Sequence, residues 1–158
     1  MVIRAGVDNF DFHALFQQLH NFCAVDLSAF YFDIRKDVLY CDGDTLERRS
    51  SRTVLDHLFV RVTSWLAPVL VFTMEEVWLE RYPGGDSSIH LTDMPSTPKT
   101  WINEELAAKW AIIRQARRAV TAALEVQRTN KVIGSSLEAS PVVYLEDQQT
   151  FVILNSIP

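Results

Sequence analysis

The sequence predicts a mainly α fold, an antiparallel helical bundle that gives way to a short β segment near its C-terminus. Three observations predict it. Three long stretches repeat apolar residues three and four positions apart, the spacing that lines one face of an α-helix. Clusters of Gly, Pro, Asp and Ser separate those stretches, as short reversals between antiparallel helices require. Pro141-Val142-Val143-Tyr144-Leu145 is β-branched and aromatic in character.

The first stretch places Phe12, Leu15, Phe16, Leu19, Phe22, Cys23, Leu27, Phe30 and Ile34 at helical spacing, which predicts a helix from about Asp11 to Ile34. Asp42-Gly43-Asp44, within Asp37 to Asp44, favours a turn, because glycine is conformationally permissive and short acidic side chains bond to nearby backbone. Asp44-Thr45-Leu46-Glu47 has capping-box spacing, and behind it Val54, Leu55, Leu58, Val62, Trp65, Leu66 and Val69 extend a second stripe. Pro68 removes a backbone donor and crowds the carbonyl of Ser64, so a kink or break is expected there.

Thr73-Met74-Glu75-Glu76 reads as a capping box for a short helix through Trp78 and Leu79, stopped by Pro83-Gly84-Gly85. The stretch from Pro83 to Thr100 reads as an ordered surface connector and not as a domain boundary. Asn103 is placed to cap a third helix to about Thr129, with Leu106, Trp110, Ile113, Ala116, Val120, Ala123 and Leu124 as its apolar face. Gly134 follows its end. Phe151 to Leu154 suits either a strand or the start of a helix. The expected division is a helical domain over residues 1–140 and the start of a further segment over 141–158.

The chain has 158 residues, 48% of them hydrophobic and 22% charged, with 5 Gly and 6 Pro, which fits a globular protein and excludes a disordered or collagen-like one. Compact folding at this length buries about 68–70% of the unfolded surface. A net charge of -5 excludes a wholly basic clamp, so any contact with nucleic acid must be focal. The apolar run from Trp65 to Met74 is too short to span a bilayer, no leader-like pattern opens the sequence, and a cytoplasmic location is expected. Cys23 and Cys41 form no CxxC pair and point to neither a disulfide nor a metal site.

No P-loop, GxGxxG, HExxH or GxSxG occurs, and His13, His20, His57 and His90 are scattered. Glu75-Glu76 and Glu104-Glu105 lie in first helical turns, where negative charge complements the helix dipole. A catalytic centre is therefore not expected. Trp65, Trp78 and Trp110 fall on apolar faces and read as packing, whereas Tyr31, Tyr40 and Trp101 are better placed for exposed contacts.

The third helix carries the more informative pattern. At about 100° per residue, Arg114, Arg117, Arg118 and Arg128 project within an arc of roughly 100°. Thr121 lies inside the arc and Glu125 dilutes its charge. Guanidinium groups suit phosphates and base faces; the competing reading is a solvated face with Arg117 paired to a carboxylate. A second group, Arg48, Arg49 and Arg52, opens the second helix against the dipole, which calls for an anionic partner or for carboxylates on neighbouring helices.

Several words of the sequence, in order, resemble the bacterial isoleucyl-tRNA synthetase family. They are Asp26-Leu27-Ser28-Ala29-Phe30-Tyr31-Phe32-Asp33-Ile34-Arg35-Lys36-Asp37 with Leu39-Tyr40, Arg48-Arg49-Ser50 with Thr53-Val54-Leu55, and Trp65-Leu66-Ala67-Pro68 followed by Phe72-Thr73-Met74-Glu75-Glu76-Val77-Trp78. Leu124-Glu125, Arg128 and Lys131-Val132-Ile133-Gly134-Ser135-Ser136-Leu137-Glu138-Ala139 match an isoleucyl-type pattern better than a valyl, leucyl or methionyl one.

The resemblance implies a helical bundle of the class I synthetase anticodon-binding type, with tRNA, and isoleucine tRNA in particular, as partner through its anticodon arm. Arg117 and Arg128 match family positions, and Lys131 joins them, Arg114, Arg118, Arg48 and Arg49 as candidate RNA-binding residues. HIGH-type and KMSKS-type signatures are absent, so the expectation is a piece of a larger enzyme without its adenylation, editing or zinc-bearing regions. That parent would use ATP to charge tRNA with isoleucine and would edit misacylated valine; the chain itself would need no cofactor. The alternatives are a helical protein-interaction domain with a basic stripe, or the equivalent domain of a valyl, leucyl or methionyl synthetase.

Overall fold

A computed structural model describes residues 2–156, which divide into two compact units, one ending at Ser96 and one beginning at Thr97. The division falls inside the Pro83 to Thr100 stretch that the sequence reads as a connector. In the first unit lie α1 (Val2–Asp8), α2 (Phe12–Asn21), a π-helical stretch (Phe22–Phe32), α3 (Asp33–Tyr40), α4 (Leu46–Leu66), α5 (Val71–Arg81) and a 3-10 turn at Ile89–Leu91. In the second lie a 3-10 turn at Lys99–Trp101, α6 (Glu104–Thr129), another at Ser136–Glu138, and α7 (Gln148–Asn155).

The helix expected from Asp11 to Ile34 is present but longer and differently wound, running without a break into α3 and ending at Tyr40. Asp11 caps α2 by accepting from the Ala14 amide, and Leu15 and Leu19 on its inner face are 2% and 1% exposed. Gly6 of α1 allows the close approach, since a Cβ there would meet that of Leu15 at 3.1 Å. Over Phe22–Phe32 the hydrogen bonds are of the π type, i to i+5, which implies about 4.4 residues and roughly 82° per residue. On that winding Cys23, Leu27 and Phe32 fall within about 50° of one another; on an α winding Phe32 would sit about 180° from Cys23. All three line one cleft of about 440 Å3, opposite Leu55, Leu58, Phe59 and Val62 of α4. Burial in this cleft pushes the Cys23 thiol pKa upward.

The end of α3 meets the start of α4 and α2 also packs against α4, so the two helical runs are antiparallel. The reversal falls at Cys41–Thr45. Thr45, not Asp44, is the N-cap of α4, its hydroxyl accepting from the Arg48 amide at 3.2 Å. Asp44 instead accepts from Arg49 at 3.0 Å. Pro68 has the expected effect: α4 stops at Leu66 and α5 starts at Val71. The expected capping box at Thr73 is not formed, because α5 has already begun and Leu70 is its N-cap. Glu75 reaches out to accept from the Ser88 hydroxyl at 2.9 Å and the Ile89 amide at 3.0 Å. That tether seats Ile89 in a core with Ala67 and Met74, flanked by Leu66, Leu70 and Trp78.

In the second unit Asn103 caps α6 as expected, accepting from the Leu106 amide at 2.9 Å, and the helix ends at Thr129. Ile113 is its buried residue, and α7 packs against α6. The β segment is not formed: among the described residues there is no strand, and residues 141–145 carry neither helix nor ladder. Strand-forming residues make a strand only where a neighbouring backbone completes the hydrogen bonds, and here none does. Phe151 to Leu154 belong to α7.

Several large apolar side chains stay exposed within the units, among them Tyr40, Phe72, Leu91, Leu137 and Tyr144.

Candidate nucleic-acid interface

α6 is 26 residues long, acidic in its first turn at Glu104 and Glu105 and basic in its last at Arg128. From near its middle to its end the four arginines share the face that α-helical spacing gives them, spread over ~21 Å of helix from Arg114 to Arg128. None is sealed inside the protein. Arg114 and Arg117 are half-buried and each is engaged within the chain, whereas Arg118 and Arg128 are exposed. Thr121 turns its hydroxyl onto the Arg117 carbonyl at 2.8 Å, so the side chain between Arg117 and Arg128 on this face is a short one.

Arg128 is held by Glu125 of the turn before, Nε and Nη2 each donating to a carboxylate oxygen at 2.9 Å. The hydrogen bond and then the charge of Arg128 lower the Glu125 pKa, and Glu125 raises that of Arg128 by the same two effects. The pairing fixes the guanidinium plane without hiding it, since both partners stay more than half exposed.

α6 ends in a Schellman motif. The Lys131 amide donates to the Arg128 carbonyl and the Val132 amide to the Gln127 carbonyl, both at 3.0 Å, with Lys131 at φ +59°. Lys131 is exposed. Three residues later the Gly134 amide donates to Glu138 Oε2 at 3.0 Å, and Ser135 caps the turn that follows by accepting from the Leu137 amide. The sequence places a glycine near this helix end, but the residue that takes the left-handed conformation is the lysine.

The second basic group has structural partners. Arg48 Nε donates to the Leu39 carbonyl at 3.1 Å, so its charge sits at the negative C-terminal end of α3, and Arg49 pairs with Asp44. Their place at the start of α4, unfavourable for α4 alone, is accounted for by the neighbouring helix and turn. Arg52 is exposed. A further cationic feature escaped the sequence reading: Arg81 pairs with Asp56 and lies over the rings of Phe59 and Tyr82, 5.2 and 5.7 Å from their centroids. Its pKa is raised by the Tyr82 hydroxyl and then by Asp56. Phe59, Trp78 and Tyr82 pack on one another there.

Trp65, Trp78 and Trp110 are half-buried packing residues, while Tyr40 and Trp101 are exposed and Tyr31 is half-buried. Among the described residues no cluster of His, Cys, Asp and Glu is suited to a metal ion, and no helix is long and apolar enough to cross a membrane.

The described residues thus form a helical scaffold with a row of arginines on one long helix. The model of the anticodon-binding domain of tRNA ligases matches residues 2–143, and the chain belongs to that family. Over 98% of its length it is 63% identical to an isoleucine–tRNA ligase of Ruegeria pomeroyi, and over 92% it is 54% identical to one of Mesorhizobium japonicum. An isoleucine–tRNA ligase of Agrobacterium fabrum is 52% identical over 98% of the chain. The chain spans about a sixth of the length of these curated relatives, covering 15 to 16% of each.

Proposed function

We propose that this chain is the module by which an isoleucine–tRNA ligase holds the anticodon arm of isoleucine tRNA, working in the cytoplasm with the remainder of that enzyme and without a catalytic centre of its own. The observation that carries the reading is the arginine face of α6, Arg114, Arg117, Arg118 and Arg128, on a chain of the anticodon-binding family. Unstacked anticodon bases expose faces and Watson–Crick edges, and a rigid helix with planar guanidiniums grips the backbone while neighbouring side chains read bases. Arg48 and Arg49 serve the α3–α4 corner and contribute to RNA contact through what remains exposed of them. In the parent enzyme ATP-dependent charging, valine editing and a zinc-bearing region would lie outside this chain. A boundary near residue 140 fits this view, since the family match ends at 143 while the likeness to isoleucine–tRNA ligases continues across α7.

The test is a titration of the chain with isoleucine tRNA and an unrelated tRNA across salt concentrations. Tighter binding of isoleucine tRNA, weakening steeply with salt, is the expected result. Arg117→Gln with Arg118→Glu weakens that binding while the far-ultraviolet helical signal holds. Affinity unchanged by the pair would remove the α6 face from the interface.

A further inference from the structure

Lys131 holds a backbone conformation in which a side chain is unfavourable. The left-handed residue that closes a Schellman motif is most often glycine, because a Cβ there crowds the carbonyl beside it. At the end of α6 the motif is complete, with both of its hydrogen bonds at 3.0 Å, yet the residue at φ +59° is a lysine. Complementing the helix dipole does not require this, since Arg128 already provides a cation in the last turn. A lysine one residue earlier or later would add charge without strain. The loop beyond is fixed as well, by the Gly134 to Glu138 hydrogen bond and the Ser135 cap. Lys131 is therefore an exposed point charge on hydrogen-bonded backbone, two residues past the end of α6 and three past Arg128.

We infer that Lys131 is a phosphate ligand of the bound RNA, and that the strained conformation is kept because it carries the ammonium to a backbone phosphate that no residue of the helix proper reaches. This rests on the tRNA reading above. An ammonium is a compact charge that tolerates many phosphate orientations, which suits a contact made by a single residue at the edge of a guanidinium face. Because the strain and the charge sit on the same residue, one substitution separates stability from binding.

Phe10 provides the control. It takes the same left-handed place, φ +57°, at the end of α1, where its own amide donates to the Val7 carbonyl and that of Asp11 to the Gly6 carbonyl. The experiment compares Lys131→Gly, Lys131→Arg and Phe10→Gly, reading the urea midpoint and the affinity for isoleucine tRNA across salt. Lys131→Gly raises the midpoint, weakens binding several-fold and lowers the slope of log affinity against log salt by about 1. Lys131→Arg leaves both nearly unchanged, and Phe10→Gly leaves affinity unchanged, so altered backbone freedom alone does not weaken binding. A Lys131→Gly protein that is more stable but binds with the same affinity and salt slope overturns the inference alone. An unsubstituted chain that binds no tRNA at any salt overturns the tRNA reading and this inference with it.

Discussion

Leu19 is 1% exposed and, with Leu15, is among the most completely buried of the described residues, so Leu19→Ala is expected to destabilise the first unit strongly. Replacing leucine by alanine withdraws three buried carbons, about 2.4 kcal/mol at ~0.8 kcal/mol each. The cavity left behind adds to this, and full burial places the total at about 3–5 kcal/mol. Against a total stability of about 5–15 kcal/mol for a domain, that is a large share. With a urea dependence near 2 kcal/mol/M, the midpoint falls by about 1.5–2.5 M at unchanged slope. The assay is urea unfolding followed by the indole NMR resonances of Trp65 and Trp78, both in the first unit. Phe16→Ala is the internal comparison: it is on the same helix but 38% exposed, and it loses less despite the larger side chain. If Leu19→Ala lowered stability by less than about 1 kcal/mol, or by no more than Phe16→Ala, the α2 face would not be the anchor that its burial indicates.

Two smaller perturbations address the second unit. Asn103→Ala removes the acceptor of the Leu106 amide and costs about 1 kcal/mol, seen as faster hydrogen exchange at Leu106; Asn103→Asp preserves protection, and equal exchange in all three proteins would contradict the cap. Asp147 caps α7, and its bonds from Thr150, then from the Gln149 amide, hold its carboxyl below the usual aspartate value. A carboxyl whose folded pKa is depressed contributes stability above its unfolded pKa and loses it as pH falls through the folded value. The Thr150 amide shift therefore titrates with a midpoint below that of an ordinary aspartate, and a midpoint at or above it would refute the cap.

Where local chemistry decides, the residues gave the answer in advance: Asn103 begins α6, the helix ends at Thr129, and Pro68 separates α4 from α5. Choices between adjacent candidates were less legible. Asp44 and Thr45 are both good caps, and only the contact between Asp44 and Arg49 leaves the role to Thr45. Strand propensity over 141–145 was real but had no partner backbone. The stretch from Phe22 to Phe32 is apolar almost throughout, so its periodicity could not distinguish 3.6 residues per turn from the wider π winding. At the interface, the arc of Arg114, Arg117, Arg118 and Arg128 followed from spacing alone. The partners of Arg48, Arg49 and Arg128 and the left-handed Lys131 depend on which atoms meet after folding, which spacing does not encode.

The π winding also bears on how chain length can vary at this point. Eleven residues at roughly 82° turn the chain through about 900°, the same rotation that nine residues make at 100°, with nearly equal rise. The segment between α2 and α3 therefore holds two more residues than an ordinary helical path needs. A sibling sequence two residues shorter there would bring Leu19 and Leu39 back to the same orientation relative to one another, whereas one differing by a single residue would swivel everything downstream by a quarter turn.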